Sequence, residues 1–541
     1  MSEWTIGGVV DAIAAAVPDR VMTICADRRS TYAQTAERTR RLANFLVANG
    51  IGIYRERSEL QGWECGQDRV ALIMHNDLYP DMVIGALKAR AVPVNVNFNY
   101  TPREVQDLLG YLKPRAVICH RSLGAKFADV LPGDGVELVI SIDDHGVGAQ
   151  LAGAISLDEA LVAGDVDQEI TASPDDVMMI CTGGTTGRPK GVMWRQTDTY
   201  VISMNGADHE SASEIHAKVA HAGPPWFAVS PLMHAAGMWT AFAALLNGQT
   251  VILYDKTTLD PAAVLSTAEK EKVGLMTMVG DAYAGPLIAE LRRHPYDLSS
   301  LFAIGTGGAA TNQRHQDALL ELLPQIMLIN GYGSSETGNM AFGRSQSGDR
   351  KDTFERRDGV VLLSEDRTRF VVPGEPEVGW VAREGRIPLG YFDDAEATAA
   401  TFPKVDGRRV VISGDRGSLE ADGTLRLLGR DSLVVNTGGE KVFVEEVEEV
   451  VRSHPDVADA LVVGRPSERW GEQLVALVAV RAGAELTDEA LRTLCREHLA
   501  RYKAPKQFLF VDQVRRLGNG KADYRWAKEQ ATQINTPVGQ Q

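Results

Sequence analysis

The stretch that decides the fold is Thr182-Gly-Gly-Thr-Thr-Gly-Arg-Pro-Lys-Gly191. It follows the apolar run Val177-Met-Met-Ile180, which predicts a loop at the end of a buried strand. Closely spaced glycines let backbone N–H groups approach an anion, the threonines add hydroxyl donors, and Lys190 adds a positive charge. The stretch therefore predicts a phosphate-binding loop. The alternative, a plain flexible hairpin, is disfavoured by the Pro-Lys-Gly end.

The loop does not fit the phosphate loop of the P-loop NTPases. That motif requires GxxxxGK followed by Ser or Thr. Here Lys190 is preceded by Pro189 and followed by Gly191. The sequence therefore predicts a different kind of nucleotide site.

The composition of the chain excludes several classes of protein. The 541 residues include 56 Lys+Arg and 72 Asp+Glu, a net charge of −16, and 44% are hydrophobic. This apolar content argues against a disordered chain, and the acidic balance argues against a nucleic-acid partner. The five cysteines are scattered, which is typical of a reducing compartment and does not fit a cysteine metal cage.

No segment reads as a membrane span or a secretion signal. The longest stretch without Lys, Arg, Asp or Glu, Val219 to Tyr254, contains three prolines and two histidines. A spanning helix needs about 20 predominantly apolar residues. We therefore expect buried strand, loop and helix here, no stable membrane span, and a cytoplasmic protein.

Alternating patterns predict an α/β fold for most of the chain. Apolar runs predict strands at Arg69–Met74, Val92–Val96, Ala116–Cys119, Leu138–Ser141, Thr250–Leu253 and Gly274–Met278. Asp77–Arg90 predicts a helix between the first two of these runs, with Pro80 in its first turn. Strands that alternate with helices indicate largely parallel sheets. We assign residues 1–430 to one large domain of α/β subdomains.

The pattern changes near residue 430. The following segment predicts helices at Glu445–Arg452 and Leu486–Leu499, and strands at Ala460–Val463, Leu474–Val480 and Phe508–Val511. About 110 residues of this kind are enough for a domain. We therefore expect residues 431–541 to form a small, mobile α+β domain, with a hinge near residues 430–434.

With its phosphate loop, the chain resembles the adenylate-forming superfamily, which includes acyl-CoA synthetases, peptide-synthetase adenylation domains and firefly luciferase. The family signature is Thr-Ser-Gly-Thr-Thr-Gly-x-Pro-Lys-Gly, and only Gly183 departs from its fixed positions. The resemblance covers essentially the whole chain. It implies that the ATP phosphates are bound by Thr182, Gly183, Gly184, Thr185, Thr186, Gly187 and Lys190, with catalytic roles for Thr186 and Lys190.

Two further motifs resemble the family's adenine site. In Asn330-Gly-Tyr-Gly-Ser-Ser-Glu-Thr-Gly338, the resemblance implies that Tyr332 stacks on adenine and Asn330 contacts its edge. Glu336 would bind Mg²⁺, together with the Thr182 hydroxyl. The nucleotide contacts would also include Gly331, Gly333, Ser334 and Ser335, and, from Gly305-Thr-Gly-Gly-Ala-Ala310, Gly307, Gly308 and Ala309.

The resemblance also implies contacts to the ribose and to coenzyme A. Asp415 would accept hydrogen bonds from the ribose hydroxyls, and Arg430 would donate to the same sugar. The segment from Val435 to Phe443 resembles a glycine loop that lines the pantetheine tunnel, which implies CoA contacts by Gly438, Gly439, Glu440 and Lys441. At the family's hinge position, where Asp or Lys is usual, this chain has Ser432.

The last motif is Gly518-Asn-Gly-Lys521, in which Lys521 resembles a lysine that reaches the α-phosphate and the carboxylate during adenylation. Adenylation needs Lys521 in the site, whereas thiolation needs that space for pantetheine, and a hinged small domain resolves the conflict. His234 resembles a residue beside the acyl pocket. We assign it to that pocket with Met233 and Trp239, for which core packing is an equally good interpretation.

The resemblance implies an ATP-dependent acyl-CoA ligase that uses ATP, Mg²⁺ and coenzyme A. A hydrophobic carboxylic acid would become acyl-AMP with release of pyrophosphate, and then the CoA thioester with release of AMP. Short patterns such as Met193-Trp-Arg195 resemble actinobacterial ligases for long-chain or sterol side-chain acids. An acyl-AMP ligase that loads a carrier protein, a nucleotide-binding protein without ligase activity, and a homodimer remain open.

Overall fold

The structure is a computed structural model. It describes residues 2–144, 151, 153–182, 190–309, 311–349, 353–430, 433–437, 440–467, 471–499, 502–517 and 520–533.

Helices occur along the whole length of the described ranges. In chain order they are α1 (Ile6–Ala16), α2 (Tyr32–Ala48), α3 (Tyr79–Lys88), α4 (Pro102–Leu112), α5 (Arg121–Lys126), α6 (Leu157–Ala163), α7 (Gln196–Ser203), α8 (Ala212–Val219), α9 (Ala235–Leu245), α10 (Pro261–Lys270), α11 (Gly280–Arg293), α12 (Gln313–Leu322), α13 (Ala395–Thr401), α14 (Val444–Ser453), α15 (Asp488–His498) and α16 (Tyr524–Gln533).

The strands follow the same order. They are β1 (Val21–Cys25), β2 (Arg28–Thr31), β3 (Arg69–Ile73), β4 (Val92–Asn95), β5 (Ala116–His120), β6 (Leu138–Ile142), β7 (Ile155–Ser156), β8 (Val177–Thr182), β9 (Lys190–Arg195), β10 (Trp226–Ala228), β11 (Val251–Leu253), β12 (Leu275–Met278), β13 (Ala303–Thr306), β14 (Met327–Ser334), β15 (Gly338–Ser345), β16 (Glu355–Arg356), β17 (Val360–Leu363), β18 (Phe370–Val371), β19 (Gly379–Glu384), β20 (Gly390–Tyr391), β21 (Lys404–Val405), β22 (Arg408–Leu419), β23 (Leu425–Arg430), β24 (Val434–Thr437), β25 (Glu440–Phe443), β26 (Val457–Ser467), β27 (Gly471–Val480) and β28 (Gln507–Val511).

Two mainly parallel sheets form the body of the large domain. The first has the order β16-β15-β14-β13-β12-β10-β11-β1-β2, and the second β20-β9-β8-β4-β3-β5-β6-β7. Antiparallel pairs occur toward the ends of both sheets, at β1–β2, β14–β15–β16 and β8–β9–β20. Because parallel strands need crossover segments, helices separate most of them, as the alternating sequence pattern predicts.

The main core lies between these sheets. One buried apolar cluster includes Leu72 of the second sheet, Ala228 and Val251 of the first sheet, and Phe242 of α9. β3 is buried along its whole length, which explains its continuous apolar run.

A third sheet completes the large domain and differs from the other two. Its order is β18-β17-β19-β22-β21, with β23 paired to β22, and its pairs are antiparallel. The sequence pattern from Val410 to Gly429 indicated strands there without specifying their pairing. The pairing matters for function because it sets Asp415 opposite Arg430.

The small domain is built on a fourth sheet, β25-β24-β27-β26, with β28 parallel to β27. Side chains alternate along β26, so that Val462 joins one buried cluster while Leu461 and Val463 join another. Helices α14 and α15 contribute to the first cluster and α16 to the second.

The predicted fold class is confirmed. The predicted division at residue 430 remains a proposal, although β23 ends at Arg430 and β24 begins at Val434. The hinge position Ser432 lies outside the described residues. Within the described ranges, no helix is both long enough and apolar enough to cross a bilayer. The charge-free stretch instead forms β10, α9 and β11.

Candidate active site

The site lies where the first sheet's strands end. β13 ends at Thr306, and Gly307 runs so close to β14 that a Cβ on it would lie 3.6 Å from the Gly331 carbonyl oxygen. Gly308 has φ +79°, a conformation that glycine adopts without strain. Ligands of parallel sheets bind at such strand ends. The structure therefore brings the two predicted adenine segments side by side.

Tyr332 links the predicted adenine and ribose groups. Its hydroxyl donates to Asp415 Oδ2 at 2.6 Å and lies 3.2 Å from Ser413 Oγ. Its ring packs edge-on against Phe354, with centroids 6.2 Å apart. Asp415 is paired with Arg430 across β22 and β23, and the backbone of Arg430 is described there. Residues far apart in the sequence thus converge on one surface.

Asn330 is half-buried and lies beside Thr306 in the parallel pair of β13 and β14. Its Nδ2 donates to Gln316 Oε1 of α12 at 3.4 Å. This contact fixes the Asn330 amide at the strand end, where the sequence predicts that it contacts the edge of the adenine ring. The remaining positions of the motif, Gly333, Ser334 and Ser335, continue into the turn that carries Glu336.

Two contacts fix that turn. Trp194 of β9, fully buried, donates its Nε1–H to the Ser335 carbonyl oxygen at 2.9 Å. Gly338 ends the motif at φ +65°, and a Cβ on it would lie 2.6 Å from Ile202. Both the backbone conformation and the close packing therefore require glycine there.

Tyr391 contacts both Glu336 and Lys190. The Tyr391 hydroxyl donates to Glu336 Oε1 at 3.2 Å, and Lys190 Nζ lies 4.8 Å from the centroid of the Tyr391 ring. Lys190 Nζ also lies 3.5 Å from Asp394 Oδ2. Burial, and next the Glu336 charge, raise the pKa of the Tyr391 phenol, which therefore stays a donor at neutral pH.

Most of the predicted phosphate loop lies outside the described residues. The predicted loop residues outside the described ranges are Gly183, Gly184, Thr185, Thr186 and Gly187. The backbone of Thr182 is described, as the end of β8. The entry to the loop is held by Asn95. Its Oδ1 accepts from the Cys181 amide at 2.9 Å, and its Nδ2 donates to the Met233 carbonyl at 2.7 Å.

The predicted acyl-pocket residues differ in exposure. His234 is half-buried at the start of α9, whereas Met233 and Trp239 are 2% and 4% exposed and belong to apolar clusters. For these two side chains the packing favours a core role. Burial, and next the positive charge of Lys521, lower the pKa of His234 to about 4.

The Lys521 loop docks on the large domain. A Cβ on Gly520 would lie 3.5 Å from Ala282 Cβ and 3.7 Å from Val279 Cγ1. Lys521 directly follows this contact in the chain, and its positive charge acts on His234. The predicted role of Lys521 at the α-phosphate and the carboxylate stays a prediction.

The predicted CoA loop is described only at its flanks. Gly438 and Gly439 lie outside the described residues. The backbones of Thr437 and Glu440 pair across β24 and β25, as do those of Asn436 and Lys441. Ala309 is half-buried beside Gly308.

Three residues at the site were missed by sequence reasoning: Asn95, Tyr391 and Asp394. Tyr391 is 55 positions from Glu336 and belongs to a different sheet. A tyrosine before the acidic pair Asp393-Asp394 is a weak local signal. Their roles come from contacts between segments that are distant in sequence.

Comparisons with known proteins identify the family and the fold. The family model described as AMP-binding enzyme matches residues 10–361, and that described as AMP-binding enzyme C-terminal domain matches residues 446–521. A solved structure of the anthranilate CoA ligase AuaEII, in complex with anthranoyl-AMP, is similar with a TM-score of 0.79 at 19% identity. The similarity covers 98% of both chains and shows the shared fold.

Two curated relatives are more similar in sequence. The medium-chain acyl-CoA ligase Mig of Mycobacterium avium is 41% identical over 540 residues, covering 98% of each chain. A Mycobacterium tuberculosis protein, the medium/long-chain-fatty-acid–CoA/3-oxocholest-4-en-26-oate–CoA ligase, is 37% identical over 531 residues, covering 95% of this chain and 94% of the relative. The predicted resemblance to acyl-CoA ligases is confirmed by these relatives, and the chain belongs to the AMP-binding enzyme family, that is, to the adenylate-forming enzymes.

Proposed function

We propose that this protein is an ATP-dependent acyl-CoA ligase of the cytoplasm for hydrophobic carboxylic acids of the medium- to long-chain or sterol side-chain class. The observation that supports the proposal is the contact of Gly520 with Val279 and Ala282, because Lys521 is the next residue in the chain. The charge of Lys521 also acts on His234. A cation at this place can meet the reacting carboxylate and α-phosphate, where negative charges must approach each other.

The nucleotide would bind along the ends of β13 and β14. Tyr332 offers an aromatic face for adenine, and Asp415 offers a carboxylate for the ribose diol, with Arg430 opposite it on β23. Tyr332 and Asp415 are already hydrogen-bonded to each other, so both are oriented before a ligand arrives. Preorganised contacts of this kind lower the cost of ordering side chains on binding.

We propose that Mg²⁺ binds beside Glu336. The described ranges contain no group of three or more His, Cys, Asp or Glu side chains that could hold a metal ion. Mg²⁺ is usually bound by one or two carboxylates with phosphate oxygens and water. Glu336 supplies one oriented carboxylate for such a site, and we propose the Thr182 hydroxyl as a second protein ligand. The ion would neutralise phosphate charge.

The chemistry is a transfer in two steps. In the first, a carboxylate oxygen of the acid bonds to the α-phosphorus of ATP, and pyrophosphate leaves. In the second, the CoA thiol, losing its proton, bonds to the acyl carbon, and AMP leaves. Lys190 and Lys521 contribute by position and charge, because phosphoryl-type transfer leaves little covalent work to side chains.

The acid class is supported by the relatives and by His234. The relatives are named for medium-chain, long-chain and 3-oxocholest-4-en-26-oate acids. His234 has a pKa lowered to about 4, so this wall of the site stays uncharged at neutral pH, which suits an apolar chain beside the carboxylate. We further propose residues 1–430 and 431–541 as the two domains, with the small one hinged near 430–434.

The test is an acid-dependent pyrophosphate-release assay with and without CoA, on a panel of acids of different length and ring content. We expect release with hydrophobic acids and, with CoA present, AMP and the thioester. Formation of acyl-AMP without a CoA thioester would instead identify an acyl-AMP ligase that loads another carrier. Absence of acid-dependent release across the panel would overturn the proposal.

A further inference from the structure

Lys521 lies in a short antiparallel pairing of two described backbone segments, residues 516–517 and 520–522, here called the hairpin. Arg516 and Ala522 form an antiparallel bridge, the Leu517 amide donates to the Lys521 carbonyl at 2.8 Å, and the Gly520 amide donates to the Leu517 carbonyl at 2.8 Å. These bonds order the backbone on both sides of Lys521. They do not by themselves orient the hairpin relative to the rest of the small domain.

Arg516 makes that connection. Its Nε and Nη2 donate to Asp459 Oδ2 and Oδ1, both at 2.8 Å, and its Nη1 reaches the Gly520 carbonyl at 3.4 Å. Asp459 belongs to β26 and also accepts from the Ala460 amide at 2.8 Å. A bidentate arginine–carboxylate pair fixes direction as well as distance. Arg516 therefore ties the residue before Lys521 to a strand of the small-domain sheet.

The Arg516–Asp459 pair adjoins the residue that docks on the large domain, because Arg516 Nη1 contacts the Gly520 carbonyl. Gly520 contacts Val279 and Ala282, which flank the first residues of α11. Arg452 of α14 donates to the Ala460 carbonyl at 3.2 Å, beside Asp459. Its charge interacts with both Asp459 and Asp281 of α11. The charged side chains Asp281, Arg452 and Asp459 therefore lie on α11, on α14 and on the strand that holds the hairpin.

We propose that Arg516, held by Asp459, is a positioning residue for Lys521 in the adenylation half-reaction. It acts through the hairpin and does not itself touch the substrate. The inference rests on the proposed function and adds to it a residue that determines where the lysine is delivered. Thiolation does not use Lys521, so Arg516 contributes to one half-reaction and not to the other.

The central experiment measures both half-reactions in Arg516→Gln. We expect acid-dependent ATP–pyrophosphate exchange to fall by about 10- to 100-fold, the loss typical of a catalytic group displaced by roughly 1 Å. Thiolation of a supplied synthetic acyl-adenylate should stay within about twofold of the parent protein, since no contact used in that step is removed. Arg516→Lys keeps the charge but not the bidentate geometry, and should recover only part of the exchange rate.

A matched control is Arg496→Gln. Arg496 pairs with Glu489 at 3.1 Å on the exposed face of α15, so the same substitution removes an ion pair of the small domain that lies on a different element from the hairpin. Both half-reactions should be unchanged in this variant. Asp459→Asn should reproduce the Arg516→Gln pattern, and its thiolation rate reports that the domain is folded.

A double-mutant cycle with Lys521→Ala tests the route of the effect. If Arg516 acts only through Lys521, Arg516→Gln should cause no further loss of exchange in the Lys521→Ala background. Losses that multiply, or equal losses in both half-reactions, would overturn the inference while leaving the ligase activity in place. If the parent protein forms no acyl-adenylate from any acid, the proposed function itself fails.

Discussion

Tyr391 shows how one side chain can serve two predicted functional residues at once. Its hydroxyl donates to Glu336, and its ring lies under the Lys190 ammonium. The contacts hold a carboxylate and a cation apart while keeping both next to the predicted phosphate loop. Mutation can therefore separate the contact made by the Tyr391 hydroxyl from the contact made by its ring.

Tyr391→Phe removes the hydroxyl and keeps the ring. We expect kcat/KM for ATP in the adenylation step to fall by about 10-fold, because a hydrogen bond to a charged group contributes about 1.5–3 kcal/mol. The loss should be partly recovered at high Mg²⁺, since Glu336 would be less well oriented for the ion. The measurement is pyrophosphate release over a range of Mg²⁺ concentrations.

The matched control is Tyr296→Phe, because the Tyr296 hydroxyl also donates to a glutamate, Glu290, at 2.8 Å. That pair lies at the end of α11, away from the strand-end site, so catalysis should not change. A rate for Tyr391→Phe equal to that of the parent would show that the hydroxyl does not orient Glu336.

His234 gives a prediction about pH. Its pKa is lowered to about 4, first by burial and second by Lys521. A histidine whose pKa is lowered by folding contributes stability at pH values above its pKa in the unfolded state, about 6.5. That contribution is lost as the pH falls from 6.5 toward 4. We expect His234 to stay neutral from pH 6 to 8, so His234→Gln should not change the shape of the adenylation profile there.

The same histidine reports on Lys521. Lys521→Ala removes a neighbouring positive charge, so the pKa of His234 should rise in that variant. Ring-proton NMR titration of the full chain measures this directly. An unchanged His234 titration would contradict the docked position of Lys521.

Among the elements, α14 combines an amphipathic pattern with a buried charge. Val447 and Val451 lie in the small-domain core, and Glu448 between them is 2% exposed. Glu448 accepts from the Val462 amide at 2.8 Å and from the Tyr524 hydroxyl at 3.1 Å. These bonds connect α14 to β26 and to the helix that follows Lys521.

Glu448 should make the small domain sensitive to pH. Burial, opposed by the charge of Arg452, raises the pKa of Glu448 to about 7. An acid with a raised pKa contributes stability fully below its unfolded pKa, about 4.3, and that contribution is lost as pH rises through the folded value. The free energy of unfolding should therefore decrease between pH 5 and 8.

Glu448→Gln removes this titration. Relative to the parent protein, the Tm of Glu448→Gln should rise as pH increases from 5 to 8, measured by thermal unfolding at several pH values. Glu449→Gln is a suitable control because Glu449 lies on the exposed side of the same helix. A Tm difference that is constant with pH would contradict the buried titration.

Across the whole molecule, the proposed activity depends on the docking of the small domain. Arg314 of α12 donates to the Pro455 carbonyl at 3.4 Å and to the Val457 carbonyl at 3.3 Å. These bonds cross from the large to the small domain on the side where Gly520 meets α11. They stabilise the docked arrangement without contacting the strand-end site.

Arg314→Gln should weaken docking. We expect adenylation to slow by about 5-fold or more, since two hydrogen bonds are lost and each contributes about 0.5–1.5 kcal/mol. Limited proteolysis near residues 431–434 should also become faster. Arg292→Gln, on the last turn of α11, should leave both unchanged. Equal proteolysis of the two variants would contradict a docking role for Arg314.

The strands and helices were largely predictable from local patterns. The apolar run Arg69–Met74 became β3 (Arg69–Ile73), and the pattern at Glu445–Arg452 became α14 (Val444–Ser453). The antiparallel third sheet was not specified, because alternation along a strand does not identify its partner. Met233 and Trp239 could not be assigned between pocket and core, since both places select apolar side chains.

The motifs alone predicted the chemistry of this protein. Lys190, Glu336, Asp415 and Lys521 stand in patterns whose residue types suit phosphate, metal, ribose and carboxylate, and such patterns can be read along the chain. Folding alone established which groups touch: Tyr391 between Glu336 and Lys190, Arg516 on Asp459, and Gly520 on α11. The physical reason is that these contacts join segments separated by 55 to more than two hundred residues, and no local pattern of charge or hydrophobicity encodes such distances.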